Sequence, residues 1–115
     1  MVDGCPAPMG NSIPDRSRII VKQRAHWRCE RCGVPNPSGE VHHRRSRLVR
    51  DEHQHCPCCL VFLCGTCHRW VHAHPFEAKR YGFIVSKFTT EPATIPTLRE
   101  LYGETYYDCT GGTNP

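Results

Sequence analysis

The chain has 115 residues, of which 38% are apolar, ten are proline and nine are glycine. That suffices for one small domain with a modest core, a size that commonly leans on a metal or disulfide staple. The formal charge of +4 permits a polyanionic partner without demanding one, and no apolar run reaches membrane-spanning length, which argues against a membrane role.

Residues 1–14 carry Pro6, Pro8, Gly10 and Pro14 without periodicity and read as a flexible arm in which Cys5 has no partner. No basic region followed by an apolar run opens the chain, so a cytoplasmic rather than secreted protein is expected. In that setting nine cysteines argue for reduced thiols and metal rather than disulfides.

Asp15 is a candidate N-cap for a basic helix over residues 16–27 with Ile19, Ile20, Gln23 and Trp27 on one face. Its expected role is packing behind a metal module. Cys29 and Cys32 form a Cys-x-x-Cys knuckle, followed by Gly33 for the tight turn. Pro35, Pro37 and Gly39 signal a turn into a short strand over residues 40–43. Arg44, Arg45, Arg47 and Arg50 then make a basic loop, closed by Cys56, Cys58 and Cys59. Residues 60–63 are an apolar run of strand length. They lead into a second knuckle, Cys64 and Cys67, and a helix from about Cys67 to Ala73 capped by Thr66. Pro75 ends that helix and starts another turn, which Gly82 stops. Residues 83–88 read as a strand. The tail over residues 89–115 reads as an irregular extension with strand-like pieces.

Two Cys-x-x-Cys pairs let two turns deliver four thiolates to one ion. Cys29, Cys32, Cys64 and Cys67 are therefore expected to hold a structural Zn2+, with no open position for chemistry. The second constellation draws on the chain between the pairs and on the helix that follows the second. His68 and His72 are four apart, so a helix sets them on one face. His42 and His43 are adjacent on a strand, so they point to opposite sides. One should join the helix histidines around a divalent ion, and the other should face substrate. An ion with open positions, a base and nearby arginines suit hydrolysis of a phosphodiester.

These residues resemble the HNH endonucleases, the ββα-metal fold. The matching elements are Cys29-x-x-Cys32, Val41 to Arg44, Leu60 to Leu63 running into Cys64-x-x-Cys67, and His68 with His72. The segment from Trp70 to Val85 is similar to small HNH proteins of phages and actinobacterial hosts. The resemblance covers roughly residues 16–88 and implies a small α+β nuclease domain over residues 15–88. By it, His42 is a metal ligand with His68 and His72, and His43 is the general base. The implied catalytic ion is Mg2+, Mn2+, Ni2+ or Zn2+, and the implied partner is DNA, nicked or cut. Arg44, Arg45, Arg47 and Arg50 would contact phosphate. Phage packaging proteins are further implied partners, and the chain is expected as a monomer or homodimer.

One position departs from the family. Cys59 stands where an asparagine usually braces the loop carrying the base. Three readings are open: a tolerated substitution, a second metal bound by Cys56, Cys58 and Cys59 with His53 or His55, or an impaired enzyme. The last would leave a zinc module that binds nucleic acid or a protein partner without cutting.

Overall fold

The structure, a computed structural model, describes residue 10 and residues 12–115. Most of the arm expected over residues 1–14, and Cys5 with it, lies outside the described residues. The observed elements are α1 (Asp15–Arg24), β1 (Glu40–His43), β2 (Leu60–Leu63), α2 (Gly65–Ala73), α3 (Pro75–Arg80), β3 (Thr97–Arg99), β4 (Gly103–Tyr107) and β5 (Thr113–Asn114). This is a small α+β chain. No described helix is long and apolar enough to cross a membrane.

An antiparallel hairpin of β1 and β2 forms the centre, with Val41 opposite Phe62 and His42 opposite Val61. All four residues of β2 are buried because both faces are covered. Alternation divides them: Leu60 and Phe62 pack with Val41, Val21 and Ala25 on the α1 side. Val61 and Leu63 pack with Cys67, Val71, Ala78 and Phe83 on the side of α2 and α3. A strand buried on both faces reads as a continuous apolar run.

Helix α1 differs from expectation in extent and face. It ends at Arg24, because His26 and Trp27 take left-handed φ values of 55° and 58°, which turn the chain into the first knuckle. Its buried stripe is Ser17, Val21 and Arg24, while Ile19 and Trp27 are about half exposed. The cause is Arg24, whose guanidinium enters the core and makes a bidentate pair with buried Glu30 at 2.6 and 3.0 Å. It also donates to the carbonyls of Pro57 and Leu60 and lies 3.7 Å over the ring of Tyr107. Glu30 in turn accepts from the Phe62 N–H. An ion pair thus joins α1, the first knuckle and β2, where a hydrophobic stripe was expected.

Two further expectations give way. Residues 83–88 are not a strand. Phe83 and Val85 are buried, but only the Val85 N–H reaches a neighbouring segment, at the Arg44 carbonyl. Residues 97–114 are not irregular: β3, β4 and β5 form a three-stranded antiparallel sheet. Tyr107 of β4 is fully buried against Cys56, Cys58 and Cys59, so the sheet closes the side of the core that the basic loop borders. Gly82 lets the two parts meet. Its φ is +84°, and a Cβ there would collide with the carbonyl oxygen of Pro96.

Candidate functional site

The first knuckle lies beyond the α1 turn, and the second spans the junction of β2 and α2. Their four sulfurs, from Cys29, Cys32, Cys64 and Cys67, lie within 4.8 Å of one another, with Cys32 and Cys64 at 3.9 Å. Four ligand atoms in that space can hold one metal ion. Backbone donors point at the sulfurs: the Arg31 N–H at Cys29 and the Cys67 N–H at Cys64. Cys64, not Thr66, is thus the side chain that caps α2. The Arg31 guanidinium donates to Cys67 at 3.3 Å and stacks on Trp70. Each contact favours thiolate over thiol. Left to themselves the thiols share protons: the Cys67 thiol bonds the Cys29 sulfur, which pulls Cys29 down and pushes Cys67 up.

The histidines follow from the hairpin. His42 is on the α2 side of β1, and its ring lies 3.6 Å from that of His68, centroid to centroid. One helical turn on, His72 Nε2 is 2.8 Å from His68 Nε2. His42 Nε2 is buried with no hydrogen-bond partner among the described residues, which suits a nitrogen whose lone pair serves a cation. Burial first, and then His68 and His72, hold His42 down to about 4. It is therefore a neutral imidazole at pH 7, the form that ligates. Burial and then His72 lower His68 as well. Glu40 completes the cluster, its carboxylate lying with His42 and His68 inside 4.8 Å. Sequence reasoning missed it, although the signal was there: residues two apart on a strand share a face.

His43 faces the other way. Its Nε2 is 3.0 Å from His55 Nδ1, and His55 Nε2 is 3.2 Å from the Gly10 carbonyl oxygen. That carbonyl only accepts, so His55 carries its proton on Nε2 and its Nδ1 accepts from His43 Nε2–H. The lone pair of His43 is then on Nδ1. Burial, then His55, hold His43 down to about 4. His42, His43, His68, His72 and Arg47 line a cleft of about 740 Å³. His55 was not singled out as the neighbour of His43, since nothing in its spacing marks it.

The arginines separate into two pairs. Arg44 and Arg45, expected to contact phosphate, are buried beneath the cleft, being 1% and 2% exposed. The Arg44 guanidinium donates to the carbonyls of Gly82, Cys58 and Ile95 at 2.9, 2.7 and 2.6 Å, and more weakly to that of Pro92. Arg45 grips Asp51 with two hydrogen bonds and donates to the Thr89 carbonyl. These side chains hold the basic loop onto the following segments, although Arg45 Nε has no hydrogen-bond partner among the described residues. Arg47 and Arg50 are exposed.

Cys59 is fully buried and belongs to no metal-binding group among the described residues. It braces the segment after His43 through its backbone: its carbonyl accepts the Arg44 N–H at 2.7 Å. Cys56 and Cys58 do cluster, but with His53 and Cys109 rather than with Cys59 or His55. No family model, curated protein or solved structure matches the chain, so what this site does must be argued from its own geometry.

Proposed function

We propose that the chain is a metal-dependent DNA endonuclease of the ββα-metal type, with Zn2+ held by the four-cysteine group. The observation that carries the reading is the meeting of His42, His68 and Glu40, from one strand and the helix after the hairpin, around a buried nitrogen that lacks a partner among the described residues. His72 stands one turn further along the same helix face. A four-thiolate site is closed and structural, whereas a histidine-rich site facing a cleft leaves positions open.

Glu40, His42 and His68 would hold the divalent ion, with His72 outside that group and against His68 alone. Such an ion supplies Lewis-acid polarisation of the phosphate and a more acidic water. His43 is neutral at physiological pH and presents Nδ1, so it can accept the proton of the attacking water. As the water oxygen bonds to phosphorus and its proton passes to His43 Nδ1, the scissile P–O bond breaks with its electron pair on the departing sugar oxygen, which takes a proton from solvent. The negative charge growing on the phosphoryl oxygens raises the basicity of the nearby imidazole. His55 fixes the His43 tautomer by accepting from Nε2–H. Arg47, exposed and lining the cleft, would contact the phosphate backbone without reading sequence.

The test is plasmid nicking with Mg2+, Mn2+, Ni2+ or Zn2+. His43→Ala is expected to lower the rate by about 100-fold or more, the usual worth of a general base, while metal content and DNA binding stay near those of the parent. Undiminished cutting by His43→Ala would remove His43 from the mechanism. DNA binding without cutting under all four ions would favour a nuclease-derived binding module.

A further inference from the structure

The nuclease reading leaves one cluster unused. His53 and Cys58 are at most 1% exposed, and Cys109, half-buried in the connection after β4, closes over them. Cys58 Sγ is 3.6 Å from His53 Nδ1 and 3.8 Å from Cys109 Sγ, and Cys109 Sγ is 3.9 Å from His53 Nδ1. A tetrahedral zinc ion with Zn–S of about 2.3 Å and Zn–N of about 2.0 Å sets sulfur–sulfur separations of about 3.8 Å and sulfur–nitrogen separations of about 3.5 Å. The three observed spacings fit that triangle. The far side of the imidazole is also arranged: His53 Nε2 lies 3.5 Å from a Glu91 carboxylate oxygen and 3.8 Å from one of Glu52. Neither is a hydrogen bond, but both place negative charge on the side of the ring opposite Nδ1, which favours cation binding there.

We propose that His53, Cys58 and Cys109 hold a second, structural zinc ion. It would clamp the loop after β1 to the C-terminal sheet. The site does not depend on the four-cysteine group, and none of its donors belongs to the cleft. Cys56 stands beside it, its sulfur 3.3 Å from that of Cys58. Cys56 is disulfide-bonded in this structure, so three protein donors and a water make up the site in that state. A dithiol that reduces the bond, becoming a disulfide itself while the S–S bond becomes two thiols, adds Cys56 as a fourth donor. The clamp has a bearing on the cleft: His55, which orients His43, is two residues from His53 on the same loop.

The experiment counts zinc by mass spectrometry in the full chain, purified with a dithiol reductant and washed briefly with chelator. The parent is expected to retain one equivalent more than Cys109→Ser, and His53→Ala to lose the same equivalent. Equal zinc in all three would overturn the site, as would a Cys58–Cys109 disulfide found in place of metal. Should Cys109→Ser not fold, a cobalt titration of the parent decides. A thiolate-to-cobalt absorption band that grows through a second equivalent supports the site, and saturation at one refutes it. Neither readout depends on DNA cleavage.

Discussion

Arg44→Ala separates a phosphate-binding arginine from one that builds the fold. In the structure its guanidinium makes three short hydrogen bonds, to the carbonyls of Cys58, Gly82 and Ile95 at 2.7, 2.9 and 2.6 Å. Alanine leaves those acceptors facing a cavity. An unsatisfied buried polar group costs roughly 1–3 kcal/mol, so three give an upper range of about 3–9 kcal/mol. Water entering the space left by a large side chain restores part of this. Removing a buried charge also relieves its own desolvation cost. We therefore expect a net loss of about 3–5 kcal/mol, within the range for breaking a buried polar network. At this chain length each kcal/mol lowers Tm by about 4 °C, so thermal melting should shift down by about 12–20 °C. Arg47→Ala is the control. Its side chain is exposed, so Tm should move by no more than about 2 °C, while the salt dependence of DNA binding falls by about one phosphate contact. The reasoning is refuted if Arg44→Ala melts within about 2 °C of the parent and instead weakens DNA binding with a shallower salt slope.

Three further outcomes are expected. Cys32→Ser, or prolonged chelation, should unfold the domain by circular dichroism, because binding at a thiolate site and folding are coupled; a native melting curve without bound metal would contradict this. Glu40→Ala should weaken retention of the cleft ion by roughly tenfold, the lower end for loss of a supporting metal-site group, and leave the four-cysteine zinc in place; unchanged calorimetric affinity would place Glu40 outside the site. Stability should also fall with acid. His42 and His43 are held down to about 4 in the fold, against about 6.5 in an unfolded chain. The unfolded chain binds more protons between those values, so stability is complete above about pH 6.5 and is lost as pH falls toward 4. Melting temperatures that stay level from pH 7 to pH 4.5 would argue against neutral, buried imidazoles.

Local pattern was enough to place β1, β2 and the core of α2, because each rule involved acts within a few residues. A four-residue apolar run between turn signals leaves few alternatives to a buried strand, and Cys-x-x-Cys places two sulfurs on one turn whatever surrounds it. The same holds for His68 and His72, which one helical turn brings together. Alternation along β1 sends His42 and His43 to opposite sides, but only the packing of α2 on the hairpin brings His42 within reach of His68.

Elsewhere distant partners decided. Arg24 and Arg44 look like surface charges in sequence, and they are buried because nearby Glu30 with the distant Pro57 and Leu60 carbonyls in one case, and several distant backbone carbonyls in the other, compensate the charge. Residues 83–88 alternate like a strand, yet the neighbour they meet, at Arg44, offers one hydrogen bond and no edge to extend. The tail shows only strand-like pieces in sequence, yet residues 97–114 form a sheet, with Tyr107 buried against Cys58 and under the guanidinium groups of Arg24, Arg44 and Arg99. The chain alone therefore determined which residues can ligate. The folded structure determined which of them meet, since distances across the core depend on every segment between them.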